Sequence, residues 1–309
     1  MLFLGDKGHY YGRFPWVSVC LVVINVFVFV AQVSIGVQFT NGYSLVPEEI
    51  TTFQDITGPK VHKVWIPKID RNNRRTGEKV EKNVVIQHYP GPVPIYLTLL
   101  TSMFMHGSFF HLFSNMWCLL IFSRNVECAM GHILFLAFYL MCGLLAGLAH
   151  VASNMHSIIP YLGASGAIAG VMGAYVSIYP LNMIKIWLGW VFELPALVVL
   201  SGWLLMQYLS ALIDHNQVGG IAYWAHLGGF FAGFIILRVI VFILQQRANT
   251  KDAAKERPDR PSGQLAAANP VESTDANREP DPYADFVTMK TIRRMQEKKN
   301  PEHGPEKVQ

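Results

Sequence analysis

Charge is what most of this sequence lacks. Charged residues are 15% of the 309-residue chain and hydrophobic residues 51%, where an average soluble chain has about 25% charged. The deficit is local. Residues 39–93 and 247–309 hold 37 of the 46 charged side chains, so the other 191 residues carry only nine. A soluble domain of that size would present a largely apolar surface to water. The core is therefore a polytopic membrane protein. A soluble enzyme is excluded on that ground. A nucleic-acid partner is excluded too, because a net charge of +4 is small and scattered. Cysteine is scarce as well. Cys20, Cys118, Cys128 and Cys142 lie in or beside apolar runs, with no CxxC or zinc spacing. They read as buried, reduced thiols, and neither a metal site nor a cofactor is expected. No internal repeat is evident.

What is present is a series of long apolar runs. A spanning helix needs about 20 such residues to cross ~30 Å of hydrocarbon. Six stretches qualify: 15–37, 109–127, 131–152, 163–180, 194–213 and 221–244. The fold class is an all-α membrane protein with six transmembrane helices. Pro195 opens the fifth span, where its missing N–H costs nothing. The first is too long for a signal-peptide core, and no A-x-A cleavage site follows it. Residues 181–193 carry Trp187 and Trp190 and read as a segment lying at the membrane interface.

Basic residues near the span ends orient the bundle. Lys7, Arg13, Arg124, Lys185 and Arg238 fall on one side, while the short loops at 153–162 and 214–220 contain no Lys or Arg. Both termini are then cytoplasmic, in the inner (plasma) membrane of a cell. Three regions follow: a cytoplasmic segment 1–14, a membrane domain 15–246 with a long external loop at 39–93, and a disordered cytoplasmic tail 247–309. The polar stretch Thr57–Gln87 of that loop reads as a hairpin turning at Arg71-Asn72-Asn73. Within the tail, Phe286, Met289, Ile292 and Met295 beside Lys290, Arg293 and Arg294 read as solvated rather than lipid-bound.

Strongly polar groups inside spans are costly and mark function by default. The second span has His111 and Asn115 at i and i+4, on one face. The fourth opens Gly163-Ala164-Ser165-Gly166. The sixth contains Ala225-His226-Leu227-Gly228-Gly229. All three spans enter from the same side, and at ~1.5 Å per residue these side chains lie within about 3–8 Å of a common depth. Gly166, Gly170 and Ala174 on the fourth span, and Ala225, Gly229 and Gly233 on the sixth, form small-xxx-small rows that let backbones approach. Ser165 is then placed to meet His226, and a serine hydroxyl needs such a base to become a nucleophile. His111, Asn115 and the Ser165 N–H at a helix start supply donors for an oxyanion. Gly163 and Gly166 leave room around the serine for substrate. No intramembrane carboxylate is placed to orient His226, so the arrangement reads as a dyad. His106 reads as a brace for a loop, and Glu127, near Arg124, as a structural group bonding loop backbone. His132, His150, His156 and His215 read as interfacial.

These residues resemble the rhomboid intramembrane serine proteases. The resemblance rests on His106-Gly-Ser-Phe-Phe-His111-Leu-Phe-Ser-Asn115, on Val126-Glu127 with Gly131, on Gly163-Ala-Ser165-Gly-Ala-Ile-Ala-Gly170, and on Ala225-His226-Leu-Gly-Gly-Phe-Phe-Ala-Gly233. It covers residues 15–245, and the six-span plan is similar to bacterial members. It implies Ser165 as nucleophile, His226 as base, and His111 and Asn115 at the oxyanion site. The implied activity is endopeptidase cleavage of transmembrane protein substrates within the bilayer. The alternative is an inactive rhomboid-like protein that binds membrane clients. Two departures stand out. The Trp-Arg pair that some members carry in the first external loop is absent, and Leu97-Thr98 stand near there. Ala169 stands where some members carry a Tyr that stacks on the catalytic histidine, so His226 must be held otherwise.

Overall fold

The computed structural model describes residues 2–6, 14–69, 75–213 and 221–255. The chain divides into two compact units, Met1–Ile236 and Leu237–Gln309. The described part of the second is the C-terminal stretch of one helix. The tail motif around Phe286 and the basic residues Lys7 and Arg13 lie outside the described residues.

Strand β1 (Leu2–Asp6) precedes helix α1 (Trp16–Ile35). The long loop that follows holds α2 (Val37–Gly42), α3 (Pro47–Thr52), β2 (Gly58–Ile69), β3 (Arg75–His88) and α4 (Thr98–Thr101). Then come α5 (Phe109–Met130), α6 (His132–Ser153), α7 (Ser165–Ile178), β4 (Met183–Trp187), β5 (Val191–Pro195), α8 (Ala196–Ile213) and α9 (Tyr223–Lys255). Helices thus stand at all six expected stretches. Pro195 ends β5 rather than opening α8, one residue from its expected place.

Four helices are long and apolar enough to cross a membrane: Trp16–Ile35, His132–Ser153, Ala196–Ile213 and Tyr223–Gln246. The other two fall short for different reasons. Helix α5 carries His111, Ser114, Asn115, Ser123, Arg124, Asn125 and Glu127 along its length. Helix α7 has only 14 residues, or ~21 Å of rise. Yet every residue from Gly166 to Ile178 is buried. An apolar helix buried on all sides is lined by protein rather than lipid, so its length is not tied to the bilayer. The peripheral helices are the reverse: Phe27, Ile133 and Ile213 are 71%, 88% and 81% exposed. Such outward apolar faces suit hydrocarbon and not water.

Two small sheets flank the helical bundle. Strands β2 and β3 pair antiparallel from Gly58↔His88 to Ile69↔Arg75, as the hairpin reading expects, and the expected turn at 71–73 lies outside the described residues. Strands β1, β4 and β5 form a three-stranded antiparallel sheet. Residues 181–193 are therefore chiefly a hairpin and not a plain interfacial segment. The alternation in Met183–Trp187 explains this: Ile184 and Ile186 face inward and are buried, while the residues between them are not. Trp187 and Trp190 remain exposed.

Glu127 joins α5 to the start of α1. Its carboxylate accepts from the N–H groups of Val17 (2.9 Å) and Ser18 (2.8 Å) and from the Ser18 hydroxyl (2.5 Å), and meets His132 Nδ1 at 2.6 Å. Its role is structural, as expected, but its backbone partners belong to a helix start instead of a loop. There it satisfies free donors and complements the helix dipole. His132 correspondingly serves a buried carboxylate. All four cysteines are free; Cys128 and Cys142 are buried, whereas Cys20 is exposed on α1, contrary to the expectation of burial.

Candidate active site

The segment before α7 is pinned from two directions. Leu45 and Tyr161 exchange backbone hydrogen bonds of 2.9 and 2.7 Å, and the Gly163 N–H donates to the Ser102 carbonyl at 2.8 Å. Gly163 has φ of +125°, a conformation that only glycine adopts cheaply. A Cβ there would also lie 2.9 Å from His111 Cε1 and Nε2. Helix α7 begins at Ser165, so the first-turn N–H groups are free of intrahelical partners.

Helices α7 and α9 touch backbone to backbone. A Cβ on Gly229 would sit 2.0 Å from the Gly166 carbonyl oxygen, and one on Gly233 1.9 Å from that of Gly170. This is the approach that the small-residue rows imply. It sets His226 Nε2 2.8 Å from Ser165 Oγ. His226 Nδ1 lies 2.8 Å from Oε1 of Gln207 on α8. One turn earlier on α8, the Trp203 ring is 5.9 Å from the imidazole. These two side chains hold the histidine in a chain that has Ala169 in place of tyrosine.

Asn115 is buried, and its Nδ2 has no hydrogen-bond partner. His111 Nδ1 accepts a long 3.5 Å bond from the Gly107 N–H, which leaves Nε2 as the protonated nitrogen and a donor. Both groups border Gly163: the Cβ position there is 2.9 Å from His111 Nε2 and 3.7 Å from Asn115 Nδ2. A cavity of about 400 Å³ is lined by His111, Asn115, Tyr161, Ser165 and His226 among others. All four side chains singled out from the sequence thus meet in one place.

Other histidines are sorted by the same geometry. His106 lies in a braced loop: its backbone N–H donates to Gln32 Oε1 (3.0 Å), its carbonyl accepts from Gln32 Nε2 (3.1 Å), and its ring Nδ1 lies 3.3 Å from the Phe104 carbonyl. Burial and the neighbouring His111 ring push its imidazole down to about 3, so it stays neutral. His150 is not interfacial. It is buried, stacks on Tyr161 with ring centres 4.7 Å apart, and lines the cavity. His215 lies outside the described residues. The long loop needs no Trp-Arg pair. Thr98 is buried and bonds the Ile95 carbonyl, Thr101 Oγ1 donates to the Tyr43 carbonyl (2.8 Å), and the Glu48 N–H donates to that of Ser157 (3.1 Å). Sequence reasoning missed Gln207 and Trp203. The signal was available: Gln207 is a strongly polar residue inside an apolar span.

Residues 95–242 match the family model described as Rhomboid domain. The domain at residues 95–242 belongs to the rhomboid family. It is 33% identical over 145 residues to the human protein "Presenilin-associated rhomboid-like protein, mitochondrial", covering 44% of this chain and 35% of the relative. It is 28% identical over 143 residues to "RHOMBOID-like protein 5" of Arabidopsis thaliana, covering 45% and 43%. With "RHOMBOID-like protein 6, mitochondrial" of the same plant it shares 30% over 142 residues, covering 45% and 41%. The chain therefore spans well under half the length of these relatives. They are animal and plant proteins, so they lend no support to a bacterial type. As a rhomboid-family protein with outward apolar helices, it is a multi-pass membrane protein.

Proposed function

We propose that this rhomboid-family protein is an intramembrane serine endopeptidase that cleaves transmembrane segments of other membrane proteins. The observation that carries this reading is the 2.8 Å contact between Ser165 Oγ and His226 Nε2 at the cavity wall. Ser165 attacks the scissile carbonyl carbon as its proton passes to His226 Nε2. The carbonyl oxygen becomes an oxyanion that accepts from Asn115 Nδ2, His111 Nε2 and the Ser165 N–H. The unpartnered state of the Asn115 amide supports this assignment, since an orphan buried donor costs free energy until a ligand uses it. The imidazolium then protonates the leaving amine, and the C–N bond breaks to leave an acyl-serine. Water from the cavity, deprotonated by His226, attacks the ester and releases the second product with Ser165 restored. Gly163 keeps a side chain off His111 and Asn115, whereas a Cβ at Gly166 would meet Ala146 and Tyr161, so that glycine serves helix packing and not, as the sequence suggests, substrate room. The basic residues at span ends support cytoplasmic termini, six crossings and residence in the inner (plasma) membrane.

The test is labelling by a fluorophosphonate serine probe together with cleavage of a model transmembrane substrate. Wild type should label and cleave, and Ser165→Ala should do neither while keeping its fold. Cleavage by Ser165→Ala at the wild-type rate overturns the assignment. A wild type that binds the substrate and neither labels nor cleaves it would favour the client-binding alternative.

A further inference from the structure

We infer that Gln207 is a positioning residue that fixes the tautomer of His226, so that α8 completes a Ser165–His226–Gln207 relay. This rests on the protease reading above. The geometry has three parts. Gln207 Oε1 is 2.8 Å from Nδ1 and Ser165 Oγ is 2.8 Å from Nε2, so both ring nitrogens are engaged at once. Gln207 is 7% exposed, within a helix that carries no charged side chain. Trp203, at i−4 on the same face, lies against the imidazole and also against Phe230 of α9.

The proton count follows. A neutral imidazole carries one N–H. With the Gln207 carbonyl oxygen facing Nδ1, that nitrogen must donate, and Nε2 keeps its lone pair for the serine proton. With the opposite amide orientation, Nε2 would carry the proton and Ser165 would face a donor instead of a base. An amide also suits this depth. A carboxylate in the same place would bear the desolvation cost of a buried charge. The amide supplies an acceptor and no net charge. It orients the ring and stabilises the imidazolium only weakly.

The experiment compares wild type, Ser165→Ala, Gln207→Leu and Gln207→Glu in detergent micelles. Gln207→Leu should lower kcat at least about tenfold with KM within about twofold, since removing the group that orients a catalytic imidazole disturbs chemistry and not binding. Gln207→Glu keeps the acceptor. It should recover most of the rate. The other titratable groups facing His226 are His111 from α5 and His150 from α6, and neither is altered. Imidazole ¹⁵N shifts read the tautomer directly: wild-type His226 should be protonated at Nδ1, and the Leu variant a mixture. An active wild type whose Leu variant cleaves within twofold, or a wild-type His226 protonated at Nε2, overturns this inference alone. A wild type that neither labels nor cleaves overturns the protease reading and this inference with it. If Gln207→Leu does not fold, a folded Gln207→Glu that cleaves more than about tenfold more slowly than wild type overturns it instead.

Discussion

Adding one methyl group at Gly229 should disable the proposed site without touching Ser165 or His226. The built Cβ would lie 2.0 Å from the Gly166 carbonyl oxygen and 3.0 Å from its carbon. Close C–H···O contacts in proteins settle near 3.3 Å, so α7 and α9 must part by roughly 1.3 Å at this level. Nothing flexible can yield, because the obstacle is backbone. Gly166 follows Ser165 directly, and His226 is three residues before Gly229, so the displacement is delivered to the dyad. A 2.8 Å hydrogen bond stretched by that much is no longer one. Misplacement of about 1 Å typically costs about 10² in rate, and overpacking costs about 1–3 kcal/mol of stability. Cleavage of a model transmembrane substrate should fall about a hundredfold in Gly229→Ala, with fluorophosphonate labelling falling in parallel. Gly202→Ala on α8 is the matched control, because a Cβ there meets nothing within 4 Å. It should cleave as wild type does. If Gly229→Ala cleaves within twofold of wild type, backbone contact between α7 and α9 does not set the dyad geometry, and the account of why these spans carry glycine is wrong.

Three further outcomes follow. Asn115→Ala should lower kcat by about 10²–10³ and leave labelling detectable, as loss of one oxyanion donor does; a change under twofold removes Asn115 from the site. Burial raises the carboxyl of Glu49, in the loop helix α3, to about 7, above the unfolded range near 4.3, so the folded state favours its neutral form. Its contribution is complete below about pH 4 and is lost as pH rises through 7, by about 4 kcal/mol at most; thermal unfolding of Glu49→Gln should lack this slope, and an identical slope refutes the assignment. For the substrate, a helix must unwind before its carbonyl is exposed, so Gly or Pro below the cut should accelerate cleavage at least about tenfold over a uniform poly-Leu span; equal rates would remove unwinding from selection.

The bundle was legible because lipid exposure and charge depletion leave a strong mark on composition. Every long helix begins within about two residues of its apolar run. What was hidden is what apolarity does not encode. Residues 181–193 read as interfacial because Trp187 and Trp190 dominate them, yet β4 and β5 pair with each other there and β4 pairs with Leu2–Asp6. That partner is distant in sequence, and no local pattern announces it. Glu127 was recognised as structural, but its place against the start of α1 depends on a tertiary contact 109–110 residues away. A single sequence carries no record of such a contact.

The site shows the same division more sharply. Ser165, His226, His111 and Asn115 were legible because each is a polar group at an expensive depth, and helical rise alone puts them in one layer. Gln207 breaks the same rule, but it is an amide where a soluble serine hydrolase uses a carboxylate. A buried carboxylate costs more than an amide, so the orienting group in a bilayer should be sought first among uncharged acceptors one or two helices away from the base. Gln207 meets that description, and with Trp203 four residues before it, the two occupy one face of α8 against His226. The helix that holds His226 is thus neither the one that carries it nor the one that carries Ser165. The geometry of the dyad therefore depends on three separate spans packing together, and a change that shifts α8 alone should misalign His226 while leaving Ser165 in place.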